Sequence, residues 1–381
     1  MVDQIPYKIC TRCVMDTSSK GIVFDEEGVC SHCKKFAAEV RPKILSPQQK
    51  SDGLKNLLEK VRTVGKGRKY DCLIGLSGGM DSSYVVYLAK KHELRAVVVH
   101  FDNGWDSELA VKNIENIIKK TGFDYFNYIV DWDEFRDLQR AYFKASVVDV
   151  EVPTDMGILS LIPNLALKFK VPFILFGENI ETESTMGIGW NFDKRDRGNL
   201  EDIHKQFGEK NLKTFPYLPP LKRIWYQCKG IVLANLLAYE ECDYQKIKAI
   251  LGREMDWRDY GVKHGESVFT KFYQSYYLPR KFGIDKRRAH LSDQINSGHI
   301  SRGMALEILK KPVYQSQADE KKELEYVLSK LGFSDKEFGE IMDAQPRSHS
   351  DFAVGEKYGS GFDRLVLSGI KLVKKVKGLF K

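Results

Sequence analysis

Ser77-Gly78-Gly79-Met80-Asp81-Ser82-Ser83 sets three hydroxyls, two glycines and a carboxylate side by side in one short run. The preceding YDCLIGL (70–76) is short and apolar and reads as a buried strand; the following SSYVVYLAKK (82–91) reads as a helix. The run therefore sits where a parallel strand turns into a helix. Glycines there let the backbone approach a ligand, and the free N–H groups of a helix start attract an anion. Ser77, Ser82 and Ser83 add hydroxyls, and the Asp81 carboxylate is a candidate Mg2+ ligand. An ordinary strand-to-helix turn needs one small residue, whereas this density of polar groups points to phosphate. The chain has no G-x-x-x-x-G-K-[ST], which excludes a Walker A loop, and G-x-G-x-x-G does not fit these glycines.

Four thiols offer a second chemistry. CTRC and CSHC place Cys10, Cys13, Cys30 and Cys33 as two C-x-x-C pairs with 16 residues between them, inside the spacing of a four-thiolate zinc site. GIVFDEEGVC reads as two short strands about a turn, the frame of a zinc ribbon. A redox dithiol is the competing reading, but redox motifs rarely come as two matched knuckles. With all four positions filled by protein, the zinc is structural and not catalytic. Cys72 falls inside the first strand and reads as core, and Cys228 and Cys242 form no C-x-x-C.

The elements that must position these groups follow from periodicity. After the strand at 70–76, strands at 94–101, 123–130 and 171–177 alternate with helices near 81–92, 107–121 and 156–170. This pattern predicts an α/β fold with a parallel doubly wound sheet, which binds ligands beyond its C-terminal strand ends. HFDNGWDSE (100–108), VPTDMG (152–157) and FGENIETEST (176–185) reach that edge. His100 and Asp102 are candidate nucleoside contacts. Glu178 is a candidate catalytic or Mg2+-binding group, with Glu181 and Glu183 behind it; for each acid a solvated loop carboxylate is the plainer alternative. Beyond residue 190 the chain reads as helical and charged, interrupted by the proline-rich FPYLPPLKRIW (215–225). Phe269, Phe272, Tyr273, Tyr276 and Tyr277 have helical spacing and read as core. Lys286, Arg287 and Arg288 suit either an anion or a charged helix surface. The expected organisation is a zinc ribbon over 1–40, a linker helix region over 41–66 and a nucleotide domain over 67–200. A helical substrate or partner region over 201–345 and a basic tail over 346–381 complete it.

Composition is that of a soluble globular protein, 43% hydrophobic and 29% charged, with a net charge of +8. Residues 365–381 carry five lysines and no acid, so this tail supplies most of the excess and the body is close to neutral, which weakens a nucleic-acid reading. The tail suits weak membrane-surface or partner docking, or a solvated terminal helix. No signal-peptide core or spanning segment is present, which predicts a cytoplasmic protein, where a disulfide framework is not expected.

The S-G-G-x-D-S run resembles the pyrophosphate (PP) loop of the N-type ATP pyrophosphatases. Together, the cysteine knuckles, SGGMDSS, HFDNGW, FGENIETEST and KFYQSYYLPRKFGIDKRRAHLS resemble the N-acetyl sugar amidotransferases of surface-polysaccharide and lipopolysaccharide O-antigen biosynthesis. That family includes enzymes forming acetamidino groups on pseudaminic- and legionaminic-type sugars. The resemblance runs over about residues 7–345. It implies a PP-loop (HUP-like) sheet with an N-terminal zinc ribbon and a helical C-terminal region. It further implies that Ser77, Gly78, Gly79, Asp81, Ser82 and Ser83 bind ATP with Mg2+, and that a nucleotide-linked N-acetyl sugar is adenylylated on its amide oxygen and then attacked by ammonia. The chain shows no glutaminase motif, so the resemblance implies two partners, a glutaminase subunit and a cyclase-like barrel. The alternatives are a tRNA-thiolating PP-loop enzyme and a non-catalytic zinc-ribbon adaptor.

Overall fold

The structure, a computed structural model, describes residues 6–217, 226, 230–241, 243–261 and 263–354. Cys228, Cys242 and the basic tail lie outside the described residues.

Five parallel strands form one sheet in the order β3-β2-β1-β4-β5: β1 Cys72–Gly75, β2 Ala96–Asp102, β3 Asp124–Ile129, β4 Phe173–Phe176 and β5 Val232–Asn235. Because side chains alternate across a strand, β1 sends Cys72 and Ile74 to one face and Leu73 to the other. The first face is covered by helices Met80–Lys91, Glu108–Thr121 and Tyr244–Met255, through Val85, Leu88, Ile117 and Leu251. Helix Val152–Lys168 covers the second face, with Leu161 and Leu165 against Leu73, Val97, Val99 and Ile174. Gly157 sets how closely that helix approaches, since a Cβ there would lie 2.6 Å from Cζ of Phe101. The doubly wound expectation holds. The strand order reverses between β1 and β4, and the crevice at their C-terminal ends is where this sheet class binds ligands.

Two local readings need correction. The sheet takes its fifth strand from a stretch expected to be helical. Gly230–Tyr239 contains a short apolar run that periodicity cannot assign, and pairing with β4 decides it. Among the described residues the thiol region carries no full strands, only isolated antiparallel bridges at Ile9–Asp16 and Phe24–Cys30.

The cysteine region is no appendage. Its four thiols belong to the same buried cluster as Trp105, Tyr142, Trp190 and Phe269. The aromatic run joins this cluster, with Phe272, Tyr273 and Tyr277 fully buried. Burying each such ring contributes about 1.5–3 kcal/mol. Arg302 clamps the first knuckle by donating to the carbonyls of Cys10 (2.8 Å) and Cys13 (3.0 Å). Arg288 bonds Val14 O at 2.9 Å and pairs with Asp16 at 2.9 Å, while Arg287 pairs with Asp285 and the carbonyl of Lys311. The Lys286–Arg288 run is thus absorbed largely by the scaffold. No helix among the described residues is long and apolar enough to cross a membrane.

Candidate active site

The loop after β1 is held open by its own small residues. Gly78 has φ +82°, and a Cβ there would meet Ala110 O at 3.1 Å and Tyr260 Oη at 3.2 Å. Conformation and space both require glycine. Ser77 Oγ accepts from Gly79 N at 3.2 Å, and Ser82 Oγ accepts from Ser77 N at 3.2 Å. These hydroxyls fix the loop's curvature. Ser83 is fully buried, its Oγ without a partner among the described residues. Helix Met80–Lys91 begins at Gly79 with no side-chain cap among the described residues, leaving its first N–H groups for an incoming acceptor.

A strap from the second half of the chain, residues 257–267, crosses this loop. Trp257 Nε1 and Tyr260 Oη each donate to Gly78 O at 2.8 Å, and Asn113 Nδ2 donates to Tyr260 Oη at 3.0 Å. Ser107 N donates to the carbonyl of Glu266 at 2.8 Å. The Glu266 carboxylate lies beside Gly79, with Oε1 3.0 Å from where a Cβ would stand. The strap also brings Lys263 and His264 to the mouth.

Charge is concentrated there. Burial, then the neighbouring Glu183, pushes Asp81 up to about 6, against the pull of Lys263 and His264. Lys263 Nζ donates to Glu183 at 2.9 Å and to Nδ1 of His290 at 3.1 Å. Burial, and next Lys263, hold His290 well below the usual imidazole range, so it accepts as a neutral ring. Burial opposes ionisation of Glu266, but His264, its own backbone N–H and Lys263 together outweigh burial and lower its pKa. Asp293 anchors the end of the segment after β4, accepting from Thr185 N at 2.7 Å.

The mouth therefore gathers Asp81 and Glu183 from two strand ends, with Lys263, His264, Glu266 and His290 from the C-terminal half. The last four were not singled out from sequence. For Lys263, His264 and Glu266 the only signal is that WRDYGVKHGES (257–267) is polar, glycine-broken and without helical or strand period; His290 sits in a charged helical run that does not mark it out. Glu178 is exposed, its backbone held by Asn235 of β5, whose Nδ2 donates to Glu178 O at 2.6 Å. Partial desolvation, then Glu183, raises its pKa. Glu181 is held in the scaffold by Lys50 and His299, each at 3.0 Å. His100 is buried, with Nδ1 2.7 Å from Leu76 O and Nε2 2.8 Å from Asp106; Asp102 accepts from Gly104 N at 2.9 Å. Both shape the loop after β2.

The four knuckle thiols form a second centre. All are buried and lie within 4.8 Å of one another. Cys10 and Cys33 sulfurs are 3.9 Å apart, and those of Cys13 and Cys30 3.6 Å. A tetrahedron of metal–sulfur bonds of about 2.3 Å has edges of about 3.8 Å, so the set fits a tetrahedral ion. Backbone N–H groups of Cys13 (3.4 Å) and Cys30 (3.2 Å) point at Cys10 Sγ and favour thiolate.

Residues 266–364 match the family model described as LPS biosynthesis protein WbpG-like, C-terminal domain, and residues 71–164 match Queuosine biosynthesis protein QueC. Residues 71–164 are thus QueC-like and residues 266–364 WbpG-like. A curated relative, tRNA(Ile)-lysidine synthase of Chlamydia pneumoniae, is 34% identical over 67 residues, 17% of this chain and 21% of that protein. The chain thus spans about a fifth of that relative's length. Among solved structures, NMN synthetase from Francisella tularensis aligns at 14% identity over 56% of this chain and 97% of its own, with TM-score 0.30. The U34-tRNA thiolase NcsA from Methanococcus maripaludis, with its [4Fe-4S] cluster, aligns at 13% identity over 83% and 94%, also with TM-score 0.30. The family matches support an ATP-dependent ligase-type activity.

Proposed function

We propose that this chain converts the N-acetyl group of a nucleotide-linked sugar to an acetamidino group, at the expense of ATP, in lipopolysaccharide or O-antigen synthesis. The observation that carries the reading is the composite mouth: a PP-loop roofed by the strap that leads into the WbpG-like region. The amide oxygen attacks the α-phosphorus of ATP. The bond from that phosphorus to the bridging oxygen breaks, and pyrophosphate departs against the Ser77–Ser83 loop, whose N–H groups and hydroxyls stabilise the charge. Ammonia adds to the imidate carbon, the carbon–oxygen bond to AMP breaks, and loss of a proton leaves the amidine. Lys263 supplies the cation that the loop itself lacks. Asp81 is placed to hold Mg2+ together with phosphate oxygens, the usual donor set for that ion, and bound Mg2+ neutralises phosphate charge. Zinc is the assigned ion of the four-thiol centre, closed and structural. Ammonia comes from a separate glutaminase through a barrel partner, and the site of action is the cytoplasm.

The test follows oxygen. With ATP, Mg2+, ammonium and a diacetamido sugar nucleotide carrying ¹⁸O in the acetamido carbonyl, the label should appear in AMP, with pyrophosphate in equal amount. Label kept in the sugar, or ADP and phosphate as products, rules this mechanism out.

A further inference from the structure

Beside the strap, a cleft of about 460 Å3 opens, lined by residues from 260 to 271 and from 313 to 326. That size falls within the range of small-molecule sites. Tyr260, Tyr314 and Tyr326 form its walls. Lys271 and Glu323 make an ion pair at 2.5 Å on its lining, and Tyr314 donates to Glu323 at 2.7 Å. Gln315, Asp319 and Lys322 stand exposed at its edge.

This lining selects a ligand class. Lys271 and Lys322 balance Asp319 and Glu323, so the cleft carries no net charge and offers little to a polyanion. Tyrosine faces pack against the C–H faces of a saturated ring. Carboxylates, an amide and an ammonium around such faces accept from and donate to hydroxyl and acetamido groups. Together they suit a neutral, hydroxylated ring. The cleft also communicates with the loop through one residue: Tyr260 contributes its ring to the wall and its hydroxyl to Gly78 O.

We infer that this cleft is a carbohydrate subsite, which holds a neutral sugar ring while Tyr260 couples its occupancy to the PP-loop. The inference rests on the reading of the chain as a sugar-modifying enzyme and adds where the sugar sits.

Binding without turnover tests it. Saturation-transfer NMR on the full chain, without ATP, should show N-acetylglucosamine and UDP-N-acetylglucosamine receiving saturation on their sugar-ring protons, and UDP alone receiving little. Tyr326→Ala and Lys322→Ala change exposed residues and should weaken sugar binding at least about tenfold. Both should bind a non-hydrolysable ATP analogue as the wild type does. Tyr314→Ala should do the same, with its melting curve confirming the fold. Sugar binding untouched by these variants, or no sugar binding by the wild type at millimolar concentration, overturns the subsite. Either result leaves the ¹⁸O experiment to stand or fall by itself.

Discussion

Asp81 shows how far single residues could be understood before the fold was known. Its place in a serine- and glycine-rich turn marked it as a phosphate-site carboxylate; what sequence hid was its neighbours. Glu183 lies about a hundred residues onward and Lys263, His264 and Glu266 further still, and only folding brings them together. Burial and Glu183 raise its pKa to about 6, above the ordinary 3.8. The unfolded carboxyl therefore gives up its proton at lower pH than the folded one. The resulting cost to stability grows from about pH 4, is complete above about pH 6, and vanishes below both values. Asp81→Asn removes that charge. It should leave the melting temperature at pH 7.5 unchanged or higher, while lowering turnover by on the order of 10²-fold or more. A melting curve alongside AMP release checks both, and a variant that is inactive because it melts early contradicts the assignment.

Elements were legible where they were long or strongly patterned. The first four strands and their helices follow from apolar runs closed by glycines and charges. β5 did not, because four residues at a sheet edge carry no period, and their partner strand lies over fifty residues away. The PP-loop was legible in composition but not in geometry. Gly78→Ala tests that geometry. A Cβ there faces a positive φ and two contacts near 3.1–3.2 Å, and should weaken ATP-analogue binding at least tenfold in calorimetric titration. Gly122→Ala is the matched control: it has φ +66° and nothing within 4 Å. It carries the backbone cost of about 1–2 kcal/mol and should bind the analogue normally. Equal losses in the two variants would show that the loop's shape is not what holds phosphate.

At the scale of the whole molecule, the thiol centre and the WbpG-like region behave as one body. The knuckle spacing was plain in sequence, but its docking was not, since no local pattern tells that Arg302 will bond carbonyls of Cys10 and Cys13. Metal binding in such sites is folding energy, so loss of metal should be felt beyond the knuckles. Cys33→Ser should lower zinc from about one per chain to near none. It should also raise amide hydrogen exchange in helices Arg287–Ser297 and Arg302–Lys310, not only in residues 6–33. Exchange confined to the knuckles would mean that the arginine clamps contribute little.

The same clasp sets an order of events during synthesis. The cysteines leave the ribosome before their clamps: Arg288 and Arg302 follow Cys33 by 255 and 269 residues, roughly 13–54 s at translation rates of about 5–20 residues per second. Through that interval the knuckles lack the two arginine-bearing helices that clamp them in the folded chain. A metal ion captured in that window shapes the template on which helices Arg287–Ser297 and Arg302–Lys310 settle. A nascent chain that misses it delivers those helices to a surface not yet formed.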